Sequence, residues 1–400
     1  MDPYCHNKST PIPGWDGYYG MCNTAYYNID WVNTEGNLEH TGGHPDEYST
    51  SIIGNKTVRF IQGAAKLGKP FFVSAATRAP HGPATPAPWY ASNFEGLEVM
   101  RTPAYNNTGT GHVGWVQNEP IIGPAEDKGF SATYANRWRT LLSVDDLVEA
   151  VVAEVDALGL TDKTFIFFSS DHGFHMGHLR LSSGKQHFYE FDARVPMIIA
   201  GPGISTNSTP GFLAGNVDLA PTFLELGGIT PPDRMDGRSV LKQLLPSLSS
   251  ASGSHRGAGG AGVGIHDGGA GAASSTAAAS TEAEWRTAFL VEHSGLHSWS
   301  KGRINDCPNN TYRSLRVVEA AGQQRNMMFS ELTEVSDYYF QDASFHELYD
   351  LSKDPYQLTN VWGAASPAEQ QAWLKRLHTA AACKGAECTG TDPESMTQVP

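Results

Sequence analysis

Cysteine is scarce, five in 400 residues. No spacing among Cys5, Cys22, Cys307, Cys383 and Cys388 matches a zinc ligand pattern. The odd count leaves at least one thiol unpaired or paired outside the chain. "CKGAEC" does close a loop short enough for a Cys383 to Cys388 disulfide. Long hydrophobic runs are missing too: no stretch approaches the ~18 apolar residues of a membrane span. Positive charge is in deficit, with 28 Lys and Arg against 42 Asp and Glu and a net charge of -14. Such a surface repels polyanions, which argues against non-specific nucleic-acid binding and requires a local positive site for any anionic substrate. No glycine-rich loop is built to cradle phosphates. The opening "MDPYCHNKSTPIPGWDGYYG" lacks the charged-then-apolar pattern of a signal peptide and reads as loop.

What is present is a globular composition, 40% hydrophobic and 18% charged, long enough for one large domain or two unequal ones. Sequons stand at Asn7, Asn55, Asn106, Asn207 and Asn309, against about two expected by chance. They are candidate glycosylation sites and point to the secretory pathway, extracellular or lysosomal/vacuolar.

Apolar spacing predicts a helix from about Ser51 to Leu67, then an apolar strand "PFFVSAA" running into the Pro-rich "RAPHGPATPAP". In "TLLSVDDLVEAVVAEVDALGL" the residues Val144, Leu147, Val148, Val151, Val152, Val155 and Leu158 recur at helical spacing. "DKTFIFFSS" and "VPMIIAGPG" are continuous apolar runs, expected as buried strands of a sheet covered on both faces. "NVDLAPTFLELGG" is a third helix capped by its double glycine. Strands alternating with helices argue for an α/β layered fold with functional loops at strand ends. The stretch 246–284 is almost wholly Gly, Ala, Ser and Thr and is expected as a flexible insertion. Residues 1–245 then form one domain and 285–400 another, an antiparallel sheet with the helix "SPAEQQAWLKRLHTAAA". That helix has Ser366 as cap, Pro367 at its first position and Glu369 three residues after the cap.

The chemistry concentrates in "SSDHGFHMGHLRLSSGKQ". Asp171 and His172, at a strand end followed by Gly173, are a plausible half of a divalent metal site. The competing reading has Asp171 capping the turn while His172 packs. Lys185, close downstream, can bind an anionic ester and offset charge on its leaving oxygen, or be a solvated lysine. His81, held between Pro80 and Gly82-Pro83, suits a general acid or anion ligand, or else packs in its loop. His175 and His178 either add to the site or hydrogen-bond the loop, the second reading being preferred, and Asp145 and Asp146 read as a solvated helix face rather than a metal pair.

The segments "SSDHGFHMGH…GKQHFYEFDARVPMIIAGPG", "ATRAPHGP", "NVDLAPTFLELGG", "RMDGRSVL" and "HELYDLSKDPYQLTNV", in this order, resemble the sulfatases. More narrowly the chain is similar to the N-acetylglucosamine-6-sulfatase branch and related arylsulfatases, including algal ones. The resemblance implies an alkaline-phosphatase-like fold, a mixed sheet flanked by helices with a smaller C-terminal antiparallel sheet plus helix. It implies a sulfuric ester hydrolase acting on a sulfated glycan or aryl sulfate. One calcium ion would take Asp171 and His172 among its ligands, and His81 and Lys185 would contact the sulfate. The family's nucleophile is a formylglycine made from Cys or Ser in a C-x-P-S-R type motif by a formylglycine-generating enzyme. No such motif occurs, since Cys5 is followed by "HNKS" and Cys22 by "NTAY". The family's first Asp-Asp metal pair is missing as well. The expectation is therefore an incomplete gene model of a full sulfatase, with the formylglycine in the missing N-terminal segment. The alternatives are a catalytically silent relative that binds sulfated glycans and a phosphoryl-transfer enzyme of the same superfamily.

Overall fold

The structure, a computed structural model, describes residues 13–245, 285–295, 298–300, 303–319, 325–333, 343–385 and 388. The Gly/Ala/Ser stretch, Cys5 and Asn7 lie outside these residues. The chain divides into two compact units, Met1–Met100 with Gly123–Phe165, and Arg101–Ile122 with Ile166–Pro400.

In the first unit β1 (Tyr19–Met21), β2 (Ile29–Asn33) and β3 (Leu38–Thr41) form an antiparallel sheet in that order. Ile29, Trp31 and Val32 of β2 are buried, and Tyr19 stacks on Trp31 at 4.9 Å. Helices α1 (Ser49–Lys66) and α2 (Pro124–Ala157) pack where Gly54 meets Leu147. A Cβ at Gly54 would lie 3.4 Å from Leu147 Cγ, so a small residue sets how closely the helices approach.

α2 starts 16 residues before the periodic stretch that predicts it. Pro124 sits in its first turn with Glu126 and Asp127, where a fixed φ and negative charge suit a helix start. The front half, "KGFSATYANRW", buries only Phe130 and Ala135, too few residues for the apolar period to show. Asp145 and Asp146 are exposed, as a solvated face requires. Residues 70–76, expected as a strand, form no strand among the described residues, and Phe72 is 51% exposed. An apolar run defines a strand only where another strand takes its N–H and C=O groups.

The second unit is organised around β4 (Ile166–Ser169), β5 (His175–Met176), β6 (Ser183–Gly184) and β7 (Met197–Ala200), with α3 (Glu190–Ala193) between β6 and β7. β4 and β7 pair antiparallel, with Ile166 opposite Ala200 and Ser169 opposite Met197. Both were expected to be buried. Instead they are half-buried, with Ile198 61% exposed, because their sheet has two strands among the described residues. Helix α4 (Leu219–Leu226) meets this pair through Phe223, edge-on to Phe167 at 5.0 Å.

The C-terminal sheet comprises β8 (Ala288–His293), β11 (Tyr312–Glu319), β12 (Arg325–Leu332) and β13 (Phe345–Asp350), ordered β13-β12-β11-β8 and antiparallel throughout. A short hairpin of β9 (Ser298–Ser300) and β10 (Arg303–Asp306) follows β8. Period-two alternation gives the sheet two buried faces. Leu315, Val317, Phe329 and Leu348 pack on Trp373 and Leu377 of α5 (Pro367–Ala382). Tyr312, Met328, Leu332 and Tyr349 face the other way and cluster with Leu179, Leu181, Phe188 and Tyr189. The sheet is thus sandwiched between its own helix and the segment that carries Lys185. Ser366 Oγ accepts from the Glu369 N–H while Glu369 reaches back to the Ser366 N–H at 2.8 Å, closing the capping box read from the sequence. Just after α5, Cys383 and Cys388 are disulfide-bonded with Cα atoms 5.1 Å apart.

Leu377 is fully buried between sheet and helix. Leu377→Ala is expected to cost about 2–5 kcal/mol, and Ser366→Ala about 1 kcal/mol through the lost cap. Both are read as shifts of the urea unfolding midpoint at unchanged slope. A Leu377 variant that unfolds like the parent would remove this contact from the core.

Candidate active site

β4 ends at Ser169, and the next four residues turn sharply. Ser170 Oγ donates to the His172 carbonyl at 2.8 Å, and the His172 N–H donates to Asp171 Oδ1 at 3.1 Å. Asn216, just before α4, holds the same turn from another element by donating from Nδ2 to the Ser170 carbonyl at 2.9 Å. Gly173 closes it: its N–H donates to the Asp192 carbonyl at 2.7 Å, and a Cβ there would sit 2.2 Å from the Phe191 carbonyl oxygen. Only glycine permits that approach.

The turn brings together three of the four residues singled out for chemistry. His172 Nε2 lies 3.1 Å from Asp171 Oδ2 and 2.7 Å from Lys185 Nζ. Nδ1 stands 2.7 Å from the Gly173 carbonyl, so it carries the proton, and Nε2 accepts from the lysine. The ammonium keeps two further donors for an anion. The Asp171 side chain is 81% exposed, leaving carboxylate lone pairs for a cation. A carboxylate oxygen and a neutral imidazole are donors a divalent ion accepts. Calcium takes about six to eight ligands, so these two fit as part of such a site.

His81, in the first unit, lies in a loop fastened at several points. Its carbonyl accepts from Tyr26 OH at 2.7 Å, Arg137 donates to the Pro80 carbonyl at 2.8 Å, and Tyr48 OH donates to the Thr85 carbonyl at 3.0 Å. The peptide bonds preceding Pro80 and Pro83 are both cis. The imidazole is exposed, with Nδ1 2.9 Å from the Gly82 carbonyl, which leaves Nε2 to take or give a proton. Tyr26 and Arg137 were not identifiable as supports of this loop, because they lie 55 and 57 residues from the groups they hold.

Behind the Gly173 turn sits a buried cluster that sequence reading only touched. His175 Nδ1 faces both carboxylate oxygens of Asp192 at 2.9 and 2.8 Å, and His178 Nδ1 accepts the Met176 N–H at 3.3 Å. Both histidines therefore serve the loop. Asp192 Oδ2 also accepts the His187 N–H at 3.1 Å. Burial pushes His175 down to about 3 and His178 and His187 down to about 4, and lifts Asp192 to about 7, so the histidines stay neutral. Asp192 stands in the quoted "YEFD", where its function was not visible. His187 stands in the same quoted segment, where only Lys185 was singled out. Of the sequons described, Asn55 and Asn207 are exposed, whereas both ends of the Asn106 amide bond the backbone of Ile122.

The sulfatase family model matches residues 5–229. Human N-acetylglucosamine-6-sulfatase is 30% identical over 397 residues, covering 94% of this chain and 64% of the relative. The arylsulfatase of Chlamydomonas reinhardtii is 29% identical, covering 93% of this chain and 57% of the relative. The chain therefore spans less than two thirds of these relatives' length. Among solved structures, a protein in complex with its substrate D-glucosamine-2-N,6-O-disulfate superposes with a TM-score of 0.64 at 19% identity, covering 92% of this chain and 76% of that one. A phosphonate monoester hydrolase from Silicibacter pomeroyi gives 0.60 at 19% identity, covering 92% and 67%. At such identities the likeness is one of fold, the alkaline-phosphatase-like α/β arrangement. With the family model matching more than half of the residues and a 30% identical relative aligning along nearly all of them, the chain that carries the Asp171 turn, Lys185 and His81 belongs to the sulfatase family.

Proposed function

We propose that this protein is a calcium-dependent sulfuric ester hydrolase of the secretory pathway, acting on sulfated amino sugars of glycans. The observation that carries the reading is the Lys185 ammonium 2.7 Å from His172 Nε2, beside an exposed Asp171. It is a local positive site, of the kind an acidic chain needs to hold an anionic ester. The substrate class is supported by the human relative's designation as N-acetylglucosamine-6-sulfatase and by the sulfated glucosamine in the solved relative. The compartment is supported by the exposed sequon residues Asn55 and Asn207 and by the Cys383 to Cys388 disulfide.

In this reading Lys185 binds a sulfate oxygen and stabilises charge on it, which is worth most where water is displaced. His81, on its clamped loop in the first unit, is given the role of proton donor to the departing alcohol by the family resemblance alone. Asp171 and His172 would hold the calcium ion, which when bound supplies Lewis acidity toward sulfate oxygens. Cys5 and Cys22 do not stand in the sequence context that becomes formylglycine, and no step is assigned to them.

The test is release of inorganic sulfate from N-acetylglucosamine-6-sulfate by the product of the native transcript, made in a host that supplies formylglycine-generating enzyme. Lys185→Ala is expected to lower kcat by about 10²- to 10³-fold with an unchanged circular dichroism spectrum. Parent-like turnover would take Lys185 out of the site. Asp171→Ala is expected to raise the calcium needed for half-maximal activity by about tenfold or more. An identical calcium titration would remove Asp171 as a ligand. Binding of the sulfated sugar without any sulfate release would overturn the hydrolase reading.

A further inference from the structure

Asn216 is exposed, yet its side chain is committed to another element. Nδ2 donates to the Ser170 carbonyl at 2.9 Å and to the Asp171 carbonyl at 3.3 Å, across 46 and 45 residues of sequence. Both neighbours are carbonyl oxygens, which only accept, so the nitrogen end of the amide faces them. The ladder between β4 and β7 stops at the Ser169–Met197 pair, and neither carbonyl takes a backbone N–H among the described residues. Asn216 supplies the donor that the sheet no longer provides. In a strand successive carbonyls point to opposite sides, so one nitrogen reaches two of them only where the chain has left the extended form. The amide therefore holds the two peptide planes that flank the Asp171 Cα.

Asn216 can act as a strut because its base is fixed. Asp218, two residues on, is 1% exposed. Its Oδ2 accepts the Gly215 N–H at 2.9 Å and its Oδ1 the Arg238 N–H at 2.7 Å, with Arg286 donating to both oxygens. We propose that Asn216 is a positioning residue of the Asp171 and His172 cation pair: its hydrogen bonds to the backbone, rather than any contact with the ion, set how tightly that pair holds calcium. This rests on the reading of the two residues as calcium ligands. Charge and hydrogen bonding have opposite signs at this position. An acid beside a cation site attracts the ion, so at a passive surface position Asn216→Asp would tighten binding. As a strut, the same change sets a carboxylate against two carbonyl oxygens, loses both bonds and releases the Asp171 backbone.

The experiment is calcium titration calorimetry on the chelator-stripped product of the native transcript, comparing the parent with Asn216→Asp, Asn216→Ala and Asp171→Ala and recording each urea midpoint. Both Asn216 variants are expected to bind calcium about 10-fold more weakly at a urea midpoint close to the parent's. In the calcium-free protein the Gly173 amide, whose N–H donates to the Asp192 carbonyl, is expected to exchange with solvent about 10-fold faster in both. Unchanged exchange would overturn the strut without reference to any metal. Equal or tighter calcium binding by Asn216→Asp would overturn it too, as would weaker binding matched by a lowered urea midpoint, the mark of a general support of the fold. If Asp171→Ala binds calcium like the parent, the calcium reading itself fails and this role with it. Weakened binding in Asp171→Ala but in neither Asn216 variant overturns the positioning role alone.

Discussion

Hydrogen bonds from three positions converge on Asp192. Its carbonyl takes the Gly173 N–H, and its carboxylate takes the His175 imidazole and the His187 N–H. A carboxyl group that is 3% exposed is costly to bury, and it is tolerated because these donors surround it. Through Gly173 it fixes the one turn in the second unit where Asp171, His172 and Lys185 meet. The turn is held from behind by a buried group whose oxygens are hydrogen-bonded.

The same logic extends outward from α3. Arg316 of β11 donates to Glu190 at 2.8 Å, and Tyr189 OH donates to Glu347 of β13 at 3.0 Å. Glu347 also accepts from the Tyr349 hydroxyl and the Val113 N–H. A second buried carboxylate therefore links the segment after Lys185 to the C-terminal sheet. Elsewhere in this unit Asp218, paired with the two terminal guanidinium nitrogens of Arg286 at 2.8 and 2.7 Å, joins the start of α4 to residues preceding β8. Each junction uses one buried acid whose oxygens are taken by several donors, the condition under which ionic groups are held inside a protein.

The elements legible in the sequence were those whose signal is local. The capping box at Ser366 and Glu369, the double glycine after α4 and the period of the last half of α2 all lie within a few residues of what they specify. The meeting of Asp171, His172 and Lys185 was partly legible, since a glycine turn and a short separation limit where the lysine can reach. What was not legible depended on distant partners. Whether 70–76 becomes a strand is decided by another strand, and β12 carries little strand signal of its own because "RNMMFSEL" mixes Met, Ser and Glu on a sheet buried on both faces. The clamp on the His81 loop and the neutral state of His175 and His187 likewise arise from burial by residues far away in the chain.

The Lys185 contact to His172 has a thermodynamic consequence of its own. One lone pair on Nε2 serves one partner at a time, and the ammonium now has it. A cation that takes this lone pair returns a proton donor to Lys185, which is then free for an anion. By linkage, an anion that draws the lysine away must to the same degree favour the cation. If the proposed cation and ester bind here, the pair would act as an exchange relay in which two ligands of opposite charge promote each other's binding.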